Sequence, residues 1–499
     1  MKKLIVSFLA LSSTLTFSAS VDVELVKKFS RAQDVISNIY DLNELGINNF
    51  MLNDQPWTST YMPAIRGYAA DPYAVNGSNI AFFKRNLRKF NRSMRNYVDG
   101  SILLDEETIS NLSTADKYDL LVGNFKSPTS LAKRLFDQAE FLHSRFGKLT
   151  FWTGMCHGWS PAAIAHPAPL KTVEAISVDG QYTIPFYPND IKQLLSHTFA
   201  NNIKAFVNDD RIQTSGDPAM WSQDNIMPIH GYACRQKRPR IDRNSGRVRL
   251  NENDINEDLS NCEDVNAGFW HLTVMNLMGR HQQGLVVDID HNEKVNNHPT
   301  AGYEIRYFNP ITGIVENNFR DALVDVYLYE DDDRAEYRTP QTKYIVGVEM
   351  NMIFVDYRFL NKKNAQDSEM QKLKEKAFVY DLELDKDGNI IGGEWINKVV
   401  QRRQGRRIVE REKAGDKPDF IWYAPRGMKA VAHKESQAIG EWQTGTPLPQ
   451  SWAQAAINAS YEENLDYTSD MDEQGRYPFR PQPEVIFGIV EKLLEMSRE

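Results

Sequence analysis

Trp152-Thr153-Gly154-Met155-Cys156-His157-Gly158-Trp159-Ser160-Pro161-Ala162-Ala163 frames one cysteine with aromatic and small residues and leads into an apolar run. A thiol that attacks an acyl group needs a tight backbone turn beneath it and a helix N-terminus that favours its thiolate. Gly154 and Gly158 leave room for the turn. Ser160 to Ala165 reads as the first turns of the helix, with Pro161 where a missing N–H costs little. The competing reading is a buried structural cysteine, because a free thiol packs as a small hydrophobe.

The rest of the chain weighs toward a working thiol. Lys2 and Lys3 precede the apolar run Leu4 to Leu11 and the small residues Ser18-Ala19-Ser20, so residues 1–20 read as a signal peptide and the protein as secreted, extracellular or periplasmic. Only three cysteines occur in 499 residues. Outside the reducing cytosol, Cys234 and Cys262 are expected to form a disulfide across the charged insertion Arg235 to Asn261, leaving Cys156 free. Loop closure there contributes about 3 kcal/mol.

Several partner classes are disfavoured. A net charge of −9 argues against nucleic acid, and the basic runs Arg235 to Arg249 and Arg402 to Arg407 read as solvated loops. No later stretch has the roughly 18 consecutive apolar residues that membrane insertion requires. No cysteine pair has zinc-finger spacing, so no metal site is expected. Asp385-Lys386-Asp387-Gly388-Asn389 resembles the opening of a calcium loop, but Ile396 stands where the twelfth-position Glu belongs, which makes a hairpin turn the better reading. Glu330-Asp331-Asp332-Asp333 reads as a solvated acidic turn. No cofactor is expected, and calcium has no clear site.

The pattern divides the chain. Val21 to Asn48 carries Leu25, Phe29, Ala32, Ile36 and Ile39 at helical spacing, and helices are predicted over Ile80 to Val98, Lys117 to Val122 and Leu131 to Ser144. From Val173 short runs bounded by Gly, Asp, Asn or Pro predict an antiparallel sheet: Val173 to Ser177, Gln181 to Phe186, Phe269 to Asn276, Gly284 to Ile289 and Gly302 to Phe308. Ala322 to Tyr329, Lys343 to Tyr357, Ala377 to Leu384 and Ile390 to Trp395 continue it, and a helix over Pro483 to Met496 ends the chain. The fold class is α+β.

Cysteine catalysis needs an imidazole to take the thiol proton and a carboxylate or amide to orient that imidazole. His271, early on the predicted strand Phe269 to Met275, is the candidate base. Asp288, on the next strand, is the candidate orienting acid because a hairpin would set it beside His271, with Asp290 second; both share the face opposite Val287 and Ile289, so alternation does not separate them. His157 would help position substrate. The Cys156 backbone N–H is the default oxyanion donor, and the Trp152 indole is a second candidate.

These residues resemble a known family, the transglutaminase elicitors of oomycetes and their bacterial relatives. The resemblance is carried by Trp152 to Trp159, Asp116-Lys117-Tyr118-Asp119-Leu120-Leu121, Asp190-Ile191-Lys192, Gly268 to Met275, Val295 to Tyr307, Tyr380 to Leu384, Gly392-Gly393-Glu394-Trp395 and Pro418-Asp419-Phe420-Ile421-Trp422. It implies a papain-like core, with the Cys156 helix packed on an antiparallel sheet, and protein-glutamine γ-glutamyltransferase activity through a Cys156 thioester, on protein or peptide substrates bearing Gln and Lys. Val295-Asn296-Asn297-His298-Pro299 lies where oomycete members carry an immunogenic Val-Trp-Asn-Gln-Pro, with Asn296 replacing Trp and His298 replacing Gln.

The expected organisation is a helical N-terminal region over 21–105, a candidate pro-segment, then a catalytic domain over 106–430 and a C-terminal extension over 431–499. A papain-like protease or glutamine deamidase would use the same residues with water as acceptor. A non-catalytic secreted effector or binding protein is the reading from another class.

Overall fold

The structure is a computed structural model that describes residues 21–73, 104–146, 153–201, 206–207, 227–231, 240–241, 248–249, 265–289, 295–330, 332, 334–396, 398–404, 407–413, 417–432, 434–460 and 483–499. Trp152, Asp290, Cys234, Cys262 and the helix expected over Ile80 to Val98 lie outside the described residues.

Alternating burial builds the main sheet. Its principal strands are β1 (Asn49–Met51), β4 (Phe206–Val207), β5 (Met227–Gly231), β6 (Val286–Asp288), β7 (Asn297–Phe308), β8 (Tyr344–Val355), β9 (Leu373–Leu384), β10 (Ile390–Trp395) and β11 (Phe420–Trp422). They run in the order β10–β9–β8–β7–β6–β11–β5–β4, with β1 also on β7. Every pair is antiparallel except β4 and β5. A separate hairpin joins β2 (Val173–Ile176) to β3 (Thr183–Phe186). The mixed helix and antiparallel-sheet class read from the sequence is the class observed.

Both faces of this sheet are covered, and the core divides accordingly. One cluster contains Val286 and Trp422 with Trp159, Ala162 and Leu195; the other contains Val287 and Ile421 with Trp270, Leu272 and Tyr380. Since neighbouring strand residues point to opposite faces, the odd and even members of β6 and β11 enter different cores. The first core receives α3 (Thr114–Leu121), α4 (Leu131–Phe146), α5 (Cys156–Ala165) and α6 (Pro188–Asn201); the second receives α1 (Val23–Ser30), α2 (Ile39–Glu44) and α7 (Ala267–Thr273).

Three expectations are corrected. Phe269 to Asn276 is helical, not a strand, continuing beyond α7 as a π-helical turn over Val274–Arg280. The Asn266 side chain caps it, accepting from the Gly268 and Phe269 N–H groups, and burial on all sides removes the periodicity that separates helix from strand. In Ala322 to Tyr329 only Val324–Asp325 pairs as strand. The nucleophile helix starts at Cys156 itself, so Pro161 lies inside it.

The terminal regions are built in. Val21 N–H donates to Ile391 O at 2.7 Å, β1 pairs with β7, and Met155 N–H donates to Tyr61 O at 2.7 Å. Residues 21–73 therefore complete the sheet and support the backbone before Cys156. The C-terminal helix α9 (Phe487–Arg498), which follows α8 (Gln450–Ser460), buries Ile489, Val490, Leu493 and Leu494 in the same core as Trp159. At the β9–β10 turn, Asp385 Oδ1 accepts from the Asp387 and Asn389 N–H groups at 2.9 and 2.8 Å, so the turn satisfies its own carboxylate.

Candidate functional site

Cys156 is the first residue of α5, a half-buried free thiol whose helix packs between α6 and β7. The glycines around it serve close approach. A Cβ on Gly158 would lie 2.1 Å from Ser196 O on α6, and one on Gly154 would lie 2.5 Å from Tyr61 O. Neither glycine has a positive φ, so crowding against α6 and the Tyr61 loop, not a special turn, excludes a side chain at both.

The helix packed on α5 is itself pinned by buried charge. Lys117 Nζ on α3 reaches Asp190 Oδ2 at 2.6 Å, and Asp190 Oδ1 accepts from Thr114 Oγ1 and Tyr73 Oη, both at 2.6 Å. Removing one partner would strand the other charge without solvent, so the pair fixes α6 to α3. Asp119 accepts from the Leu131 and Ala132 N–H groups at 2.7 and 2.9 Å, satisfying donors that open α4. The Asp116 to Leu121 and Asp190 to Lys192 blocks are thus scaffold for the cysteine helix.

Strand β7 and the residues that lead into it meet the thiol. Asn297, at the start of β7, places Nδ2 3.8 Å from Cys156 Sγ, and the thiol lies 3.9 Å from Val295 O. Asn297 Oδ1 accepts from Trp422 Nε1 at 3.0 Å, and its carbonyl accepts from Ser160 Oγ at 2.9 Å. Asp288 pairs with Asn297 across β6 and β7, and its Oδ1 accepts from Asn296 N–H at 2.9 Å. Burial pushes the Cys156 thiol pKa up and the Asp288 charge adds to this, while the Asn297 main-chain and side-chain donors and the His157 N–H act the other way. The resting thiol is neutral.

The structure brings Cys156 and Asp288 together and does not bring His271 to them. His271 is on helix α7, not on a strand beside β6, and its ring meets Tyr380, which packs in the core on the opposite face of the sheet. Nδ1 is 2.9 Å from Tyr380 Oη, and burial lowers the imidazole pKa to about 3. Between His271 and the thiol stands the sheet, with Val287 facing one side and Asp288 the other.

Two other histidines stand near the site. Burial, with a contribution from His197 on α6, lowers the His157 pKa to about 4. His298 Nδ1–H donates to Val355 O at 2.9 Å, and its ring meets Trp159 edge-on at 5.9 Å. Tyr61, electrostatically coupled to the thiol, packs on Tyr357 at 4.5 Å and Phe359 at 5.9 Å, an aromatic wall beside Cys156. Among the described residues, no three His, Cys, Asp or Glu side chains converge as metal ligands do.

Asn297, Trp422, Ser160 and Tyr61 escape the sequence reading as site residues. Asn297 was visible only as a member of the Val295 to Pro299 segment. No local pattern links it to Trp422, 125 positions away.

Residues 256–432 match the family model described as Transglutaminase elicitor. That stretch holds His271, Asp288, Asn297 and Trp422 and stops short of the Cys156 helix. The solved GP42 transglutaminase from Phytophthora sojae is similar at 16% identity and a TM-score of 0.48, covering 88% of this chain and 97% of that one. Comparison with curated proteins finds no match. Over residues 256–432, about a third of its length, the chain is thus similar to the transglutaminase elicitor family.

Proposed function

We propose that this protein is a secreted protein-glutamine γ-glutamyltransferase whose nucleophile is Cys156. The observation that carries the reading is the free thiol at the start of α5, faced by Asn297 and Asp288 from strands inside the family-matched stretch.

The chemistry follows from those groups. The Cys156 sulfur attacks the side-chain carboxamide carbon of a substrate glutamine. Asp288 receives the thiol proton and returns it to the nitrogen as the C–N bond breaks and ammonia leaves. A lysine amine then attacks the thioester carbon, its proton passes to Asp288, and Asp288 returns that proton to the sulfur as the C–S bond breaks, restoring the thiol. An isopeptide results. Asp288 replaces the His271–Asp288 pair in this account, because its charge acts on the thiol from the same face of the sheet and His271 is walled off. Helix α5 contributes its N-terminal dipole at the sulfur.

The test incubates the purified protein with a glutamine-bearing protein and a labelled primary amine, with Cys156→Ala alongside, and reads products by mass spectrometry. An amine adduct absent from the mutant reaction supports the reading. Deamidation or backbone cleavage in place of the adduct, lost in the mutant, would make water the acceptor. Adduct formation by Cys156→Ala would overturn it.

A further inference from the structure

Asn297 is held at each of its polar ends, and the way it is held decides which end meets the cysteine. Its carbonyl accepts from Ser160 Oγ, four residues along the helix that begins at Cys156. Its side-chain oxygen accepts from the Trp422 indole at 3.0 Å. Indole Nε1–H can only donate, so the amide atom facing it must be the oxygen. The amide nitrogen is then forced toward Cys156 Sγ, 3.8 Å away.

Trp422 is itself fixed. It is 1% exposed, and β11 pairs it with Val286 of the Asp288 strand. Asn297, at 3% exposure, therefore presents its N–H groups from a site where water does not compete for them. A preorganised donor in such a place favours negative charge on the atom it faces.

We propose that the Asn297 carboxamide, locked in one orientation by the Trp422 indole, is the fixed donor that stabilises the Cys156 thiolate, with Trp422 as the positioning residue. The claim rests on Cys156 as the nucleophile and adds the group that makes its ionised form accessible. It accounts for the chemistry at this sulfur despite the neighbouring Asp288 charge. Val295 O, 3.9 Å from Sγ, holds the proton of the resting thiol, and the Asn297 amide takes over as that proton leaves.

The test is the pH dependence of Cys156 alkylation by iodoacetamide, read on the Cys156 peptide by mass spectrometry so that Cys234 and Cys262 do not contribute. Wild type, Asn297→Ala, Asn297→Asp and Trp422→Phe are compared, with a thermal melt for each. Losing a hydrogen bond to a charged group should move the midpoint up by about one pH unit in Asn297→Ala. Asn297→Asp keeps the shape, removes the donor and should shift it at least as far. Trp422→Phe keeps an aromatic ring but frees the amide to turn, and should give a smaller shift in the same direction.

Unchanged midpoints in cooperatively melting Asn297→Ala and Asn297→Asp would overturn the proposal. The readout needs no transferase activity, so it separates the two claims. Shifted midpoints without amine incorporation would leave the donor and remove the transferase. Intact incorporation with unshifted midpoints would do the reverse.

Discussion

The two faces of the sheet make different use of the same kinds of residue. On one face a half-buried cysteine opens a helix, an asparagine meets it, an aspartate acts on it through its charge, and a tryptophan from a third strand holds the asparagine. On the other a histidine, a tyrosine and two tryptophans pack among aliphatic side chains, and the imidazole is held neutral by burial. Reactive residue types occur on both faces, but only the first has them against a group that can react. A catalytic residue type is informative only once its face is known.

Substitutions can break that contrast, beginning with the largest expected effect. Asp288→Asn keeps shape and removes the proton acceptor, so kcat for amine incorporation should fall at least about 100-fold, in the range expected for general-base catalysis, with KM little changed. An unchanged kcat would free Asp288 from any role in proton transfer.

His271→Ala should do the opposite. It leaves a cavity and takes the imidazole partner from the Tyr380 hydroxyl, which costs about 3 kcal/mol in urea unfolding, while activity per folded molecule stays near wild type. Loss of activity in a folded His271 variant would place the base across the sheet and contradict the geometry.

Acid should reveal the same histidine. Its folded pKa of about 3 lies below the ordinary 6.5, so the unfolded chain binds a proton that the folded chain refuses. Its contribution to stability is whole above pH 6.5 and is lost as pH falls toward 3, amounting to about 2 kcal/mol by pH 5. His271→Asn should remove that share of the slope, as measured by unfolding at pH 7 and pH 5. The smallest effect is at the end of α1, where Arg31 adopts φ 54°. Arg31→Gly should stabilise by about 0.5 kcal/mol in the same assay, because glycine bears no Cβ penalty there.

Much of this arrangement was legible in the chain. Alternation in Leu285 to Ile289 correctly separated Asp288 from Val287 and Ile289, and the Trp152 to Ala163 block marked a helix beside its cysteine, although that helix starts at Cys156 and not at Ser160. What misled was the apolar run after Gly268. Burial on all sides gives no period, so a capped helix reads as a strand, and His271 then appears beside Asp288 when the sheet divides them. The Asn297–Trp422 contact was illegible for another reason, since it exists only after two distant strands have both docked on β6.

The most direct measurement is to trap the acyl-enzyme. The protein would be mixed with a glutamine peptide without added amine, quenched in acid, digested and examined by mass spectrometry. The account predicts a γ-glutamyl adduct, formed with loss of ammonia, on the peptide that carries Cys156. An adduct on a different residue, or turnover of glutamine in full measure by Cys156→Ala, would contradict it.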